Sequence, residues 1–122
     1  MNTLIWYEKC STCKKAEAWL NAHGIAHETR AIKEQNPSFE ELKDWHARSG
    51  LPLKRFFNTS GMLYKSMALK EKLPEMSEEE QLRLLAADGM LVKRPIFLGE
   101  DGAVILLGFK EAEWSKALLG ER

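Results

Sequence analysis

The sequence predicts an α/β fold with a four-stranded mixed sheet, and three features support this prediction. An apolar run near the N-terminus is followed by an amphipathic segment and then by an alternating one, which is the pattern of a β-α-β unit. The middle of the chain has helical periodicity with two helix-start signals. Two more apolar runs and a last amphipathic segment complete the order as β-β-α.

The β-α-β unit lies at the N-terminus. The run "TLIWY" (3–7) is short, apolar and rich in β-forming residues, as is typical of a buried strand. Residues 11–23 place small and apolar side chains on one stripe of a helix, which Gly24 ends. The segment "IAHETRAI" (25–32) alternates as a second strand does. Because a crossover helix connects these two strands, we expect them to run parallel.

A block of helices is expected between about residues 36 and 90. Ser38 with Glu41, and Ser77 with Glu80, have the spacing of a capping box, so each pair predicts the start of a helix. The tetrapeptide "NTSG" between them is typical of a loop, and we expect short helices around it.

The C-terminal part returns to strands. Apolar runs at 96–98 and 103–107 are joined by "GEDG", a compact hairpin connection. The segment "KEAEWSKALL" predicts a last helix that Gly120 ends. This is the element order of a thioredoxin-like fold (β-α-β, helical insertion, β-β-α), and we expect residues 1–122 to form a single domain with the insertion at about 36–90.

The composition argues against several partners. Eighteen Lys and Arg residues balance eighteen Asp and Glu residues, so the overall charge favours neither nucleic acid nor an anionic membrane. No apolar run approaches the roughly 20 residues of a membrane span. The first ten residues lack the features of a signal peptide. We therefore expect a cytoplasmic protein that binds no nucleic acid directly and no membrane.

The sequence contains two cysteines, and they form a C-x-x-C motif where the first strand meets the first helix. Cys10 falls at the helix N-terminus, where unpaired backbone N–H groups and the positive end of the dipole stabilise an anion. Lys9 and Lys14 add positive charge nearby, and such surroundings favour a thiolate. Cys13 lies one turn further on, within reach of a mixed disulfide on Cys10. We expect Cys10 to be the nucleophile and Cys13 the resolving thiol.

Two other interpretations of the cysteines stay open. With His23 and His27 they resemble a two-Cys, two-His zinc pattern, but nine residues separate Cys13 from His23, fewer than the about 12 to 15 of such sites. We therefore expect no metal. Free cysteines also pack as small apolar residues, and this interpretation suits Cys13, which lies on the apolar stripe.

A second predicted element of the site is the dipeptide Arg94-Pro95, which precedes the third strand. Cis peptide bonds are largely confined to proline, and in a thioredoxin-like sheet a cis-proline commonly stands at this place, facing the cysteines. We predict a cis bond here, with Arg94 beside Cys10. A guanidinium in that position favours the thiolate and binds oxyanions through its fork of donors. The alternative is the start of an edge strand with a solvated arginine.

Four segments in order resemble the arsenate reductase-related (ArsC/Spx) family of thioredoxin-fold proteins: "YEKCSTCKKAEAWLNAHGI", "GLPLKRFFNTSGMLYKSM", "LAADGMLVKRPIFL" and "GFKEAEW". The resemblance covers nearly the whole chain. It implies that Cys10 is the nucleophile and that the arginine and cis-proline face it. The substrate-binding residues are then expected to be Lys9, Ser11, Thr12, Arg94 and Pro95.

The sequence departs from the arsenate reductases of this family in two regions. These enzymes place two further arginines on the oxyanion, but the corresponding segments here read Asn58-Thr59-Ser60 and Gly108-Phe109-Lys110. Each lost charge-assisted contact typically forfeits about 1.5 to 3 kcal/mol. Cys13, which one-cysteine arsenate reductases lack, favours a dithiol cycle instead.

The resemblance therefore implies an enzyme first, a glutaredoxin-like thiol–disulfide oxidoreductase, with arsenate reduction ranked lower. We expect no bound cofactor. The reductant would be an external thiol or redox protein: glutathione, another low-molecular-weight thiol, glutaredoxin or thioredoxin. The alternative is an Spx-like regulator, whose Cys10-Cys13 disulfide controls docking on RNA polymerase. Gly50 and Arg94 resemble contact features of such regulators.

Overall fold

The structure is a computed structural model, and it describes residues 1–120. By its internal contacts the chain divides into two compact units. One unit joins residues 1–30 with the segment that begins at Arg94, and the other comprises residues 31–93. The predicted order of elements is confirmed, with β-α-β at the N-terminus, helices in the middle and β-β-α at the C-terminus.

The four strands are short. They are β1 (Asn2–Trp6), β2 (His27–Ala31), β3 (Ile96–Leu98) and β4 (Ile105–Leu107). The α-helices described are α1 (Ser11–Ala22), α2 (Phe39–Ser49), α3 (Met62–Ser66), α4 (Leu69–Lys72), α5 (Glu78–Ala87) and α6 (Glu111–Leu119). Single turns of 3₁₀ helix lie at Leu53–Phe56, Leu73–Glu75 and Gly89–Leu91.

The strands form one four-stranded mixed sheet, as predicted, and their order in the sheet is β2-β1-β3-β4. β3 pairs antiparallel with β1, where Phe97 lies opposite Leu4, and antiparallel with β4, where it lies opposite Leu106. The core of the unit that contains residues 1–30 and the segment from Arg94 consists of buried side chains from the sheet, α1 and α6: Leu4, Ala16, Trp19, Leu20, Phe97 and Trp114. The Trp114 indole N–H is satisfied within this core, because it donates to the Gly108 carbonyl at 3.0 Å.

Two strands begin later than the apolar pattern predicts. Before β2, the backbone N–H of Ile25 still donates to the Leu20 carbonyl of α1 at 3.0 Å, so the chain is not yet extended there. Before β4, the N–H of Ala103 donates to the Asp101 carboxylate at 2.9 Å and prolongs the turn. At both places, local hydrogen bonds keep residues in the preceding helix end or turn that the apolar pattern assigns to the strand.

The unit formed by residues 31–93 is built from helices, and both predicted capping boxes are present in it. The Ser38 hydroxyl accepts from the N–H of Glu41 at 3.1 Å, while the Glu41 carboxylate accepts from the N–H of Ser38 at 3.0 Å. Ser77 and Glu80 repeat this pair at the start of α5. The buried side chains of α2 and α5 are Leu42, Trp45, Leu82 and Leu85. Among the described residues, no helix is long and apolar enough to cross a membrane.

Ala68 is strained, because it adopts the left-handed conformation (φ 54°, ψ 39°) between α3 and α4. This conformation costs an L-residue about 1 to 2 kcal/mol, and glycine avoids that cost. We predict that Ala68→Gly raises the free energy of unfolding by about 0.5 to 1 kcal/mol, after the greater entropy of an unfolded glycine is subtracted. Urea denaturation followed by circular dichroism measures this change.

The matched control is Ala47→Gly, because Ala47 is also exposed but lies inside α2. This substitution should lower the free energy of unfolding by about 1 kcal/mol. If Ala68→Gly destabilises the protein as Ala47→Gly does, the strain assigned to Ala68 is wrong.

Candidate active site

Cys10 is the N-cap residue of α1, and its sulfur takes the place that a serine or aspartate oxygen usually fills. Its backbone is extended (φ −99°, ψ 111°), and its Sγ accepts a hydrogen bond from the N–H of Cys13 at 3.2 Å. The Cys10 carbonyl accepts the first N–H of the helix ladder, that of Lys14, at 3.1 Å. The half-buried sulfur therefore lies at the positive end of the helix dipole, where negative charge is favoured.

Cys13 has the opposite environment. It lies on the inner face of α1 with none of its surface exposed. Burial above all, and next a hydrogen bond with the Cys10 side chain, raise the pKa of the Cys13 thiol to about 12. A backbone hydrogen bond at Tyr7 and the charge of Arg94 act in the other direction. Both cysteines are free thiols in this structure, and Cys13 carries its proton at neutral pH.

The predicted cis bond between Arg94 and Pro95 is confirmed. The Arg94 guanidinium lies over the Tyr7 ring, with 5.2 Å from Cζ to the ring centroid, a cation–π arrangement. The side chain is half-buried and makes other interactions as well. Since its charge lowers the pKa of the Cys13 thiol, Arg94 lies within electrostatic reach of the cysteine pair.

Tyr7 is the residue that the sequence prediction missed. It is the last residue of the predicted first strand, but the structure ends β1 at Trp6 and leaves Tyr7 in the turn before α1. There its carbonyl accepts from the N–H of Cys10 at 3.0 Å, and its ring contacts Arg94. An aromatic residue three positions before a C-x-x-C motif is the signal that could have identified it.

Three of the other predicted binding residues are neighbours of the N-cap residue in the chain, and the fourth is the cis-proline. Lys9, Ser11 and Thr12 are exposed on either side of Cys10 in the chain, and Pro95 is buried immediately before β3. Their proposed contacts with a substrate stay predictions.

The two histidines of the alternative zinc pattern have other partners. His27 places Nδ1 2.9 Å from the Ile25 carbonyl and Nε2 3.1 Å from a Glu17 carboxylate oxygen. His23 packs on Trp19, with 4.4 Å between ring centroids. Within residues 1–120, no three His, Cys, Asp or Glu side chains are grouped so that they could hold a metal ion.

The fold and the cysteine pair define a thioredoxin-like α/β protein with a C-x-x-C motif at the start of its first helix. The family model described as the ArsC family matches residues 5–117. The chain therefore belongs to the ArsC family, as the motifs predicted.

Relatives of this chain include an uncharacterised protein and a transcriptional regulator. The chain is 55% identical to the uncharacterised protein YusI of Bacillus subtilis (strain 168), over 93% of this chain and 95% of that one. It is 28% identical to the global transcriptional regulator Spx of Streptococcus agalactiae serotype V, over 93% and 80%.

Solved structures confirm the thioredoxin-like fold. A crystal structure of an ArsC family related protein from Bacteroides fragilis matches with a TM-score of 0.88 and 50% identity, over 94% of this chain and 97% of that one. A possible arsenate reductase from Streptococcus mutans UA159 matches with a TM-score of 0.83 and 42% identity, over 90% and 92%.

The two thiols should differ in their reactivity toward iodoacetamide, which requires a thiolate. In a Cys10→Ser variant, Cys13 keeps the burial that is the largest cause of its raised pKa of about 12. We predict that this thiol stays unmodified near neutral pH and reacts only when the pH rises far above 9 or the protein unfolds. In the matched Cys13→Ser variant, the half-buried Cys10 should be alkylated faster than Cys13 is under the same conditions, because its sulfur is more accessible. Mass spectrometry of samples quenched across a pH series checks both, and rapid alkylation of Cys13 in the folded protein near neutral pH would contradict the assignment.

Proposed function

We propose that this protein is a thiol–disulfide oxidoreductase in which Cys10 is the nucleophile and Cys13 the resolving thiol. The observation that carries the proposal is the hydrogen bond from the N–H of Cys13 to the Cys10 sulfur at the N-cap of α1. It joins one thiol that the helix terminus favours as an anion to a second thiol one turn away.

The first half-reaction begins with the Cys10 thiolate attacking one sulfur of a disulfide. A new S–S bond forms to Cys10, and the other substrate sulfur leaves as a thiolate. Cys13 takes no part at this stage because it holds its proton. The mixed disulfide on Cys10 therefore forms before the second thiol is engaged.

The second half-reaction requires Cys13 to lose its proton. Two causes of its raised pKa, the hydrogen bond and the charge of Cys10, disappear once Cys10 is in a mixed disulfide. Arg94 and the backbone at Tyr7 still favour the Cys13 thiolate. Cys13 then attacks Cys10, an intramolecular disulfide forms, and the second substrate thiol leaves with the proton. The substrate disulfide is reduced by two electrons as the cysteine pair is oxidised.

The cycle closes when an external thiol reductant reduces the Cys10-Cys13 disulfide, and we propose glutathione, another low-molecular-weight thiol, glutaredoxin or thioredoxin in that role. This chemistry belongs in a reducing compartment, so a cytoplasmic location is part of the proposal. Arsenate is a weaker candidate substrate, because the two family arginines are absent from the sequence.

Turnover of a glutathione mixed disulfide, with glutathione and glutathione reductase as the coupled system, tests the proposal. Cys10→Ser should reduce the rate to that of the uncatalysed reaction, since the nucleophile is lost. Arg94→Gln should lower the rate about 10- to 100-fold and Arg94→Lys less, because the Arg94 charge favours the Cys13 thiolate and the loss of one charge-assisted contact is worth about 1.5 to 3 kcal/mol. The matched control is Ala18→Ser, which adds a hydroxyl at an exposed position of the same helix and should leave the rate unchanged. Wild-type turnover no faster than that of Cys10→Ser would contradict the proposal that this protein is a thiol–disulfide oxidoreductase. Arsenate is assayed as a substrate in parallel.

A second candidate function is an Spx-like redox switch, which the likeness to the regulator Spx favours. In that case the Cys10-Cys13 disulfide changes the affinity of the protein for RNA polymerase. We predict for this candidate that immobilised oxidised protein retains purified RNA polymerase, whereas the reduced form and Cys10→Ser retain less. Equal retention by all three forms would exclude a redox-switched regulator.

A further inference from the structure

A cavity of about 380 Å³ lies in the unit formed by residues 31–93, and its lining is cationic. The residues around it are Pro52, Lys54, Arg55, Thr59 and Lys93. Three of these five side chains are positively charged and none is acidic. Its volume falls within the range of about 300 to 1,000 Å³ that is usual for small-molecule sites.

The three cations have no anionic partner in the part of the chain that the structure describes. Neither Lys54, Arg55 nor Lys93 is within salt-bridge distance of a carboxylate of residues 1–120. Like charges around one concavity repel one another and raise the local positive potential. An anion bound among them removes this repulsion.

The backbone that carries these cations is held in place without a ligand. The N–H of Lys93 donates to the Phe56 carbonyl at 2.7 Å, and the N–H of Asn58 donates to the Leu91 carbonyl at 2.7 Å. Phe57 and Val92 form an isolated antiparallel bridge between the same two segments. These contacts join Lys93 to the 3₁₀ turn that contains Lys54 and Arg55, so the cavity wall is preorganised for binding.

We propose that this cavity binds a small organic phosphate. A phosphate dianion matches a lysine, arginine and threonine set, because arginine offers a planar fork, lysine a compact charge and threonine a hydroxyl donor. Much of the remaining wall is apolar, from Pro52 and the aliphatic stems of the long side chains. The phosphate therefore lies among the cations, and the carbon part of the ligand packs on the proline side.

A nucleic acid fits these observations less well. Binding a phosphate backbone requires a basic stripe that follows several successive phosphates. Here the three cations converge on one cavity in a chain whose formal net charge is zero. A single phosphate group accounts for that arrangement.

Titration of the ¹⁵N-labelled full-length protein with phenyl phosphate tests the proposal. We expect saturable shifts of amide signals at residues 52–59 and 91–93. Inorganic phosphate should bind the same amides more weakly because it lacks the apolar part, and added salt should weaken both ligands. Lys54→Gln and Lys93→Gln should each weaken phenyl phosphate about two- to fivefold, the range of a partly exposed charge pair.

The matched control is Lys43→Gln, which removes one exposed charge from α2 outside the cavity and should leave the affinity unchanged. Lys54 is exposed, so its variant keeps the test valid if Lys93→Gln fails to fold. Four outcomes would overturn the proposal: no binding, shifts scattered over surface lysines, equal affinities in Lys54→Gln and Lys43→Gln, or equal affinities for phenyl and inorganic phosphate. Tighter binding of a single-stranded DNA oligonucleotide at the same amides would also overturn it and would assign the cavity to nucleic acid.

Discussion

The hydrogen bond from the N–H of Cys13 to the Cys10 sulfur is the interaction on which the candidate active site depends. It satisfies one of the N–H groups that every helix start leaves without a partner, and the acceptor is a thiol sulfur. A thiolate accepts this hydrogen bond more strongly than a sulfur in a disulfide does. The first turn of α1 is therefore better capped in the reduced thiolate form. In the proposed cycle, the energy of the helix terminus is therefore coupled to the redox state of the cysteine pair, and stabilising the reduced form makes a disulfide more oxidising.

The same contact explains why two cysteines three residues apart differ so much. The Cys10 side chain at the N-cap is half-buried and accepts from the first turn of α1, whereas Cys13, at the third helical position on the apolar stripe, is fully buried in the core. Burial raises the pKa of the Cys13 thiol, and the charge of Arg94 partly opposes that rise. Tyr7 contacts residues on both sides of the site: its carbonyl accepts a hydrogen bond from the N–H of Cys10, and its ring lies under the Arg94 guanidinium.

Most of the fold could be predicted because its signals are local. The capping boxes at Ser38 and Ser77 and the proline before β3 each act within a few residues, and all three are present in the structure. What could not be predicted depends on distant segments meeting. The stacking of Arg94 on Tyr7 requires β3 to pair beside β1, and the cationic cavity requires Lys93 to return to the 3₁₀ turn at Leu53–Phe56. Hydrophobic pattern and secondary-structure propensity carry no information on either of these long-range contacts.

Membership of the ArsC family does not decide the chemistry, since relatives include a possible arsenate reductase and a transcriptional regulator. Arsenate reduction and disulfide reduction differ in how much positive charge the site must provide around the substrate. Arsenate is an anion and must be held against its own desolvation by several cations, whereas the sulfur of a disulfide is neutral and needs none. This sequence keeps Arg94, lacks the two further family arginines and has a second thiol one helical turn from the first. That combination suits a neutral sulfur electrophile better than an oxyanion, and this is why we place disulfide reduction first.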